Sequence, residues 1–141
     1  MSESNDTIVR KFIHLKKTRT GILETGIIEI LFKKDVTIEP ADIYELRKVN
    51  LQLSEGKPYG VLVTAEELTS FSKETRELLS SKEFMGLTIA KALVFDGLGQ
   101  KLIGNFYLHV NKPHIKTRLF NDKKIIKIIE KKALANSKLI D

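Results

Sequence analysis

A chain of 141 residues, 42% hydrophobic and 30% charged, has the composition of one folded domain and is long enough to bury a core without a metal or a disulfide. It has no cysteine, which removes disulfides, thiolate metal sites and cysteine nucleophiles. The net charge is +6, no window approaches the ~18 consecutive apolar residues of a membrane span, and the polar start Met1–Asp6 lacks a secretory-signal pattern, so the expected address is the cytoplasm.

Residues 1–7 read as a loose tail. The apolar segment Ile8–Leu15 is expected to be extended, and a basic loop, Lys16 to Arg19, follows it. Gly21 to Phe32 predicts two strands joined at Thr25-Gly26, where glycine tolerates positive φ. Thr37 is the expected N-cap of a first helix with Pro40 in its first turn. Ile43, Leu46, Val49 or Asn50, and Leu53 recur along it at helical spacing, and Gly56 is its expected C′ residue. Tyr59–Thr64 is a short apolar run, as in a strand covered on both faces.

Ser72 can cap a second helix running through Leu78 and Leu79 towards Phe84. Thr88–Phe95 predicts another apolar strand, and Asp96-Gly97-Leu98-Gly99 a tight turn. A third helix would place Leu98, Leu102, Ile103, Phe106 and Val110 on one face before Asn111-Lys112-Pro113 breaks it. Ile115–Phe120 predicts the last strand. Asn121 or Asp122 would cap a final helix striped by Ile125, Ile126, Ile129 and Ala133, with 135–141 as a second loose tail. The order is β-β-α-β-α-β-α-β-α. Strands alternating with helices imply an α/β fold with a mixed, mainly parallel sheet, in a single domain over 1–141 whose core spans about 19–132.

Charge is unevenly spread. From Lys101 onward ten Lys or Arg face three acidic residues, an excess of +7, whereas the preceding part carries −1. Few aromatics accompany the basic stretch and no nucleic-acid-binding signature is present. A solvated lysine-rich face is therefore favoured over a nucleic-acid surface.

Gly97-Leu98-Gly99 opens a helix after a strand with Lys101 nearby, a place where an anion can sit. Leu102 stands where a dinucleotide fingerprint needs glycine, and the Gly-Lys-Ser or Gly-Lys-Thr of a phosphate loop is missing, which favours a plain β-α turn. His109 and His114, five apart across a proline break, do not share a helical face, and no metal site is expected. No carboxylate pair, nucleophile elbow or other catalytic set stands out, so neither an enzyme nor a cofactor is expected. Asn105 and Tyr107 are polar groups in a helix expected to pack on the sheet. Each needs a partner there, either a structural hydrogen bond or a ligand or subunit contact.

The element order and several motifs resemble the STAS fold, the sporulation anti-sigma-factor-antagonist type of domain, and within it a family of small uncharacterised bacterial STAS-like domains. The motifs are Glu24-Thr25-Gly26-Ile27-Ile28, Ser72-Lys73-Glu74-Thr75-Arg76, Gln100-Lys101-Leu102-Ile103-Gly104-Asn105-Phe106-Tyr107-Leu108, Asn111-Lys112-Pro113 and Thr117-Arg118-Leu119-Phe120. The resemblance implies a regulatory interaction domain and brings no settled activity with it. Antagonist-type STAS domains are switched at a serine opening the second helix, after an aspartate and before a glycine. Here Ser72 stands at the aspartate position, Lys73 at the serine position and Glu74 at the glycine position. Ser72 is the remaining phosphoacceptor candidate, with a plain N-cap as the favoured role.

The expected function is a non-enzymatic interaction or regulatory module that binds a protein partner or a second copy of itself. The alternative is a carrier for a small apolar or anionic ligand such as a lipid. Gly97, Gly99, Lys101, Asn105 and Tyr107 are the candidate ligand or partner contacts. Self-association as a dimer is expected through a sheet edge or the apolar segment Ile8–Leu15. The competing outcome is that this segment adds an edge strand to its own sheet.

Overall fold

The computed structural model describes residues 9–84, 86–95 and 97–120. Eight strands lie in the order β1 (Val9–His14), β2 (Thr18–Leu23), β3 (Ile28–Phe32), β4 (Thr37–Ile38), β5 (Tyr59–Ala65), β6 (Ser70–Phe71), β7 (Thr88–Val94) and β8 (Thr117–Phe120). Helix α1 (Pro40–Leu53) precedes β5, α2 (Lys73–Ser80) precedes β7, and α3 (Leu98–Phe106) precedes β8. The main sheet runs β1-β2-β3-β5-β7-β8. Its first three strands are antiparallel and the rest add in parallel, each after a helical crossover. The expected α/β fold with a mainly parallel sheet is present.

The hairpin between β2 and β3 turns at Thr25-Gly26, with Gly26 at φ 91°. Leu23 N donates to Ile27 O at 2.8 Å and closes the turn. Of the apolar segment, Val9–His14 forms β1, which pairs antiparallel along β2 and is the terminal strand of the sheet, the competing outcome expected for this segment.

Besides β1, which was expected only to be extended, two strands are new to the expected order. β4 and β6 form a separate two-stranded parallel sheet, Thr37 opposite Ser70 and Ile38 opposite Phe71. Thr37 is therefore committed to a strand and does not cap α1. The N-cap is Glu39, whose backbone N–H donates to Asp42 Oδ2 at 2.8 Å, with Pro40 opening the helix. Its C-terminus is also shifted. Glu55, not Gly56, occupies the left-handed C′ position at φ 56°. The Glu55 and Gly56 N–H groups donate back to Gln52 and Leu51 carbonyls, a Schellman closure with Gly56 at C″.

Helix α2 stops at Ser80 and a 3₁₀ turn, Lys82–Phe84, follows, so the helix does not continue to Phe84. The hydroxyls of Ser80 and Ser81 donate to the Glu77 and Leu78 carbonyls, competing with the helical ladder. The final helix and both loose tails expected from sequence lie outside the described residues.

The apolar face expected for α3 is corrected most sharply. Leu102, Phe106 and Val110 are 63%, 45% and 58% exposed, while Gln100, Gly104 and Tyr107 turn inward with Ile103. Gly104 decides this. A Cβ there would stand 2.9 Å from Leu119 Cδ1 and 3.1 Å from Phe95 Cδ2, so the helix lies against the sheet along its smallest residue. Past Phe106 the coil widens into a π-turn, Tyr107–Asn111.

The principal core joins Ile28, Ile30 and Phe32 of β3, Val61 and Val63 of β5 and Leu93 of β7 to Ile43, Leu46 and Leu53 of α1. Leu23, Ile27, Leu62 and Val94 form a second cluster, flanked by Ala92 and Phe120, on the opposite sheet face by strand alternation.

Candidate functional site

Strand register sets out the floor of the site. Ile22, Ile28, Val61, Lys91 and Thr117 lie in one row across five strands, next to the row Thr20, Ile30, Val63, Leu93 and Leu119. Lys91 is the one charged residue in these two rows, and alternation turns it to the same face as the buried Leu93. Above this floor a partly open cavity of about 100 Å³ lies between the sheet and the helices. Its walls include Ile43 and Leu46 of α1, Leu79 of α2 and Ile103 of α3.

A few polar groups converge on this apolar space. Lys91 Nζ donates to Leu79 O and to Tyr107 Oη, both at 3.3 Å, and Tyr107 Oη donates to the same carbonyl at 3.0 Å. Burial lowers the Lys91 pKa from 10.5 to about 8, although the residue keeps some exposed surface. Burial pushes the Tyr107 hydroxyl well above its ordinary range, so it stays a neutral donor. Two arginines of the lining rest on aromatic rings, Arg47 on Phe84 at 4.6 Å and Arg76 on Phe106 at 4.9 Å. Arg76 also donates through Nη1 to Phe71 O at 2.5 Å, while its buried Nε has no hydrogen-bond partner among the described residues. Asn50 is satisfied, its Oδ1 accepting from Thr20 Oγ1 at 2.7 Å.

Of the candidate contacts and the phosphoacceptor candidate named from sequence, only Tyr107 lines this cavity. Asn105 is exposed, so solvent can satisfy its amide and the expected buried partner is not required. Gly97 precedes α3 at φ 102°, a conformation glycine adopts freely, and Gly99 lies in the first turn of the helix. Lys101 N donates to Gly97 O at 3.0 Å, an ordinary first-turn bond. His109 and His114 are both exposed, and no three His, Asp or Glu among the described residues could hold a metal together.

Ser72 is the N-cap of α2, its Oγ accepting from Thr75 N at 3.2 Å. It lies 2.8 Å from Thr75 Oγ1, which itself donates to Ile38 O at 2.7 Å, so the Ser72 hydroxyl is the donor of that pair. Lys73 is exposed and reaches Glu77 at 4.0 Å.

Sequence reasoning missed Lys91, Arg47 and Arg76. Lys91 had a legible signal, since it shares a strand parity with Leu93. The arginines did not, because only the fold shows that both reach one cavity. Gln100 was also missed. It is buried and donates through Nε2 to Glu66 O, tying α3 to the loop after β5.

The arrangement is an apolar recess with cations and a neutral phenol at its wall. No curated protein and no solved structure matches the chain. The family model described as a domain of unknown function (DUF7793) matches residues 22–125, most of the length. With that much of its fold accounted for, the chain belongs to the DUF7793 family.

Proposed function

We propose that this domain is a non-enzymatic binding module of STAS-like fold whose sheet–helix cavity holds a small ligand. The observation that carries this is the apolar cavity of about 100 Å³ with Lys91, Tyr107 and Arg76 at its wall. Ligand sites are mostly apolar recesses with a few convergent polar groups. The STAS-like reading draws support from the edge hairpin followed by parallel strands with helical crossovers. Size narrows the ligand. A dry cavity of ~150 Å³ is enough for benzene, so a long lipid chain does not fit this one as it stands.

The test is a titration of the isotope-labelled full chain with 2-methylpropan-1-ol and 2-methylpropan-2-ol, bodies smaller than benzene that the volume admits, read by amide shifts. Saturable shifts confined to cavity-lining residues support the proposal, and their loss in Ile103→Phe, which fills the space, strengthens it. Uniform or absent shifts overturn it.

A protein partner is the second reading, favoured by the exposed Leu102, Phe106 and Val110. Leu102→Glu together with Val110→Glu would abolish such an association, whether with another protein or a second copy, and leave cavity binding intact. Light scattering and pull-down read the first effect, amide shifts the second.

A further inference from the structure

Resting on the cavity reading above, we infer that the ligand is a small monocarboxylate with an apolar body, and that the Lys91 ammonium is the group that pairs with its charge. Three cations line the cavity, from three different elements: Arg47 of α1, Arg76 of α2 and Lys91 of β7. None has a carboxylate within ion-pair distance among the described residues, whereas Lys17 and Lys73 elsewhere do pair, with Asp42 and Glu77. All three lie over an aromatic ring, the arginines at 4.6 and 4.9 Å and Lys91 over Tyr107 at a longer 5.7 Å. Lys91 has three N–H donors and two neutral acceptors, Leu79 O and Tyr107 Oη, both at a long 3.3 Å. One desolvated positive charge is thus left uncompensated, and desolvated charge is costly unless paired.

The walls set the rest of the ligand. Val61, Val63, Leu93 and Ile103 offer no hydrogen bonds, so the body beyond the charged end must be apolar. The volume admits a body somewhat smaller than benzene, such as the branched chain of 3-methylbutanoate. A phosphate dianion fits less well, because its oxygens need donors on every side, and Val61, Val63, Leu93 and Ile103 would face them with none.

The groups facing Lys91 also make its contribution pH-dependent. Arg47 and Arg76 are the other cations of the lining. Tyr107 is held neutral by burial, and Tyr59 of β5 stands on the same cavity wall. Lys91, with its pKa lowered to about 8, is the group that changes charge first as pH rises.

The experiment compares 3-methylbutanoate, its neutral analogue 3-methylbutan-1-ol and inorganic phosphate by calorimetry and amide shifts on the full chain. The carboxylate is expected to bind about tenfold more tightly than the alcohol near neutral pH, the order of one charge-assisted hydrogen bond. That preference should shrink between about pH 7 and about pH 9.5, as Lys91 loses its proton. Lys91→Gln should bring the two affinities together, and the pH profile of the unmodified chain reads the same point should that variant not fold. Equal affinities, a preference for the alcohol, or tighter phosphate binding overturn the inference while leaving the cavity reading standing. Binding of none of the three probes, together with silence towards 2-methylpropan-1-ol, overturns both.

Discussion

Lys91 Nζ stands 3.3 Å from Tyr107 Oη, and both groups donate to one acceptor, the carbonyl of Leu79. The phenol thereby fastens the turn after α3 to the end of α2 and gives the lysine one of its two acceptors. Tyr107→Phe removes the shorter bond to Leu79 while leaving the ring in place. The expected cost is about 1–2 kcal/mol, the range for one buried hydrogen bond, measured by urea denaturation. The Lys91 pKa should fall further in the variant, read from its side-chain carbon shifts, because the charged form loses an acceptor.

Lys91 also makes stability depend on pH. Its folded pKa is about 8 against 10.5 unfolded, so between those values the unfolded chain binds more protons. Stability contributed by this site therefore rises with pH across that window and is flat below it. Lys91→Met should stabilise the protein by about 1–3 kcal/mol near neutral pH, with the gain vanishing above about pH 10.5. Denaturation midpoints of both proteins, measured in parallel across the window, check the difference and cancel the exposed lysines common to both.

How far the sequence could be read differs by element. Helix α1 was legible because its packing follows simple periodicity, Ile43, Leu46, Asn50 and Leu53 being the buried positions. The Thr25-Gly26 hairpin and the Ser72 cap were legible because turn and cap chemistry is local. Helix α3 was not, because hydrophobicity pointed to Leu102, Phe106 and Val110 while Gly104 allowed closer approach on another face. The strands β4 and β6 were hidden by their length, two residues each, with a pairing that spans more than thirty positions. The cavity was hidden for a related reason. Arg47, Arg76, Lys91 and Tyr107 come from four separate elements, and only the fold brings them to one wall.

The Thr20–Asn50 bond links β2 to α1 across thirty positions, between two buried side chains. Removing one partner leaves the other buried and unsatisfied, so Thr20→Val and Asn50→Leu should each cost about 1–3 kcal/mol. The double variant removes both polar groups and should be clearly less unstable than the sum of the singles. Chemical denaturation of the four proteins gives the coupling.

Gly104 sets how closely α3 approaches the sheet. Alanine there gains helix propensity, about 1 kcal/mol, but places its Cβ 2.9 Å from the Leu119 side chain. Leu119 Cδ1 is a flexible tip and the Phe95 ring, 3.1 Å from the same Cβ, must give by only a few tenths of an ångström, so Gly104→Ala should be near neutral. Gly104→Val adds two methyl groups beyond that Cβ and cannot be absorbed in that way. It should lose about 2–3 kcal/mol by overpacking, and thermal unfolding separates the two outcomes.

Ser72 tests whether the start of α2 is a cap alone or also tolerates negative charge. Its Oγ accepts from Thr75 N, which Ser72→Ala abolishes, at a cost of about 1 kcal/mol or about 3–5 °C in Tm. Ser72→Asp restores an acceptor and places a negative charge at a helix N-terminus, both favourable. Its carboxylate, however, cannot donate to Thr75 Oγ1, and Thr75 already uses its own proton on Ile38 O, which anchors α2 to β4. Either that anchor or the contact at position 72 must give way. The expected order of Tm is therefore wild type, then Ser72→Asp, then Ser72→Ala. A Ser72→Asp variant below Ser72→Ala would mean that added negative charge disrupts the anchor more than the cap restores it, and a phosphate on Ser72 would then release α2 from β4.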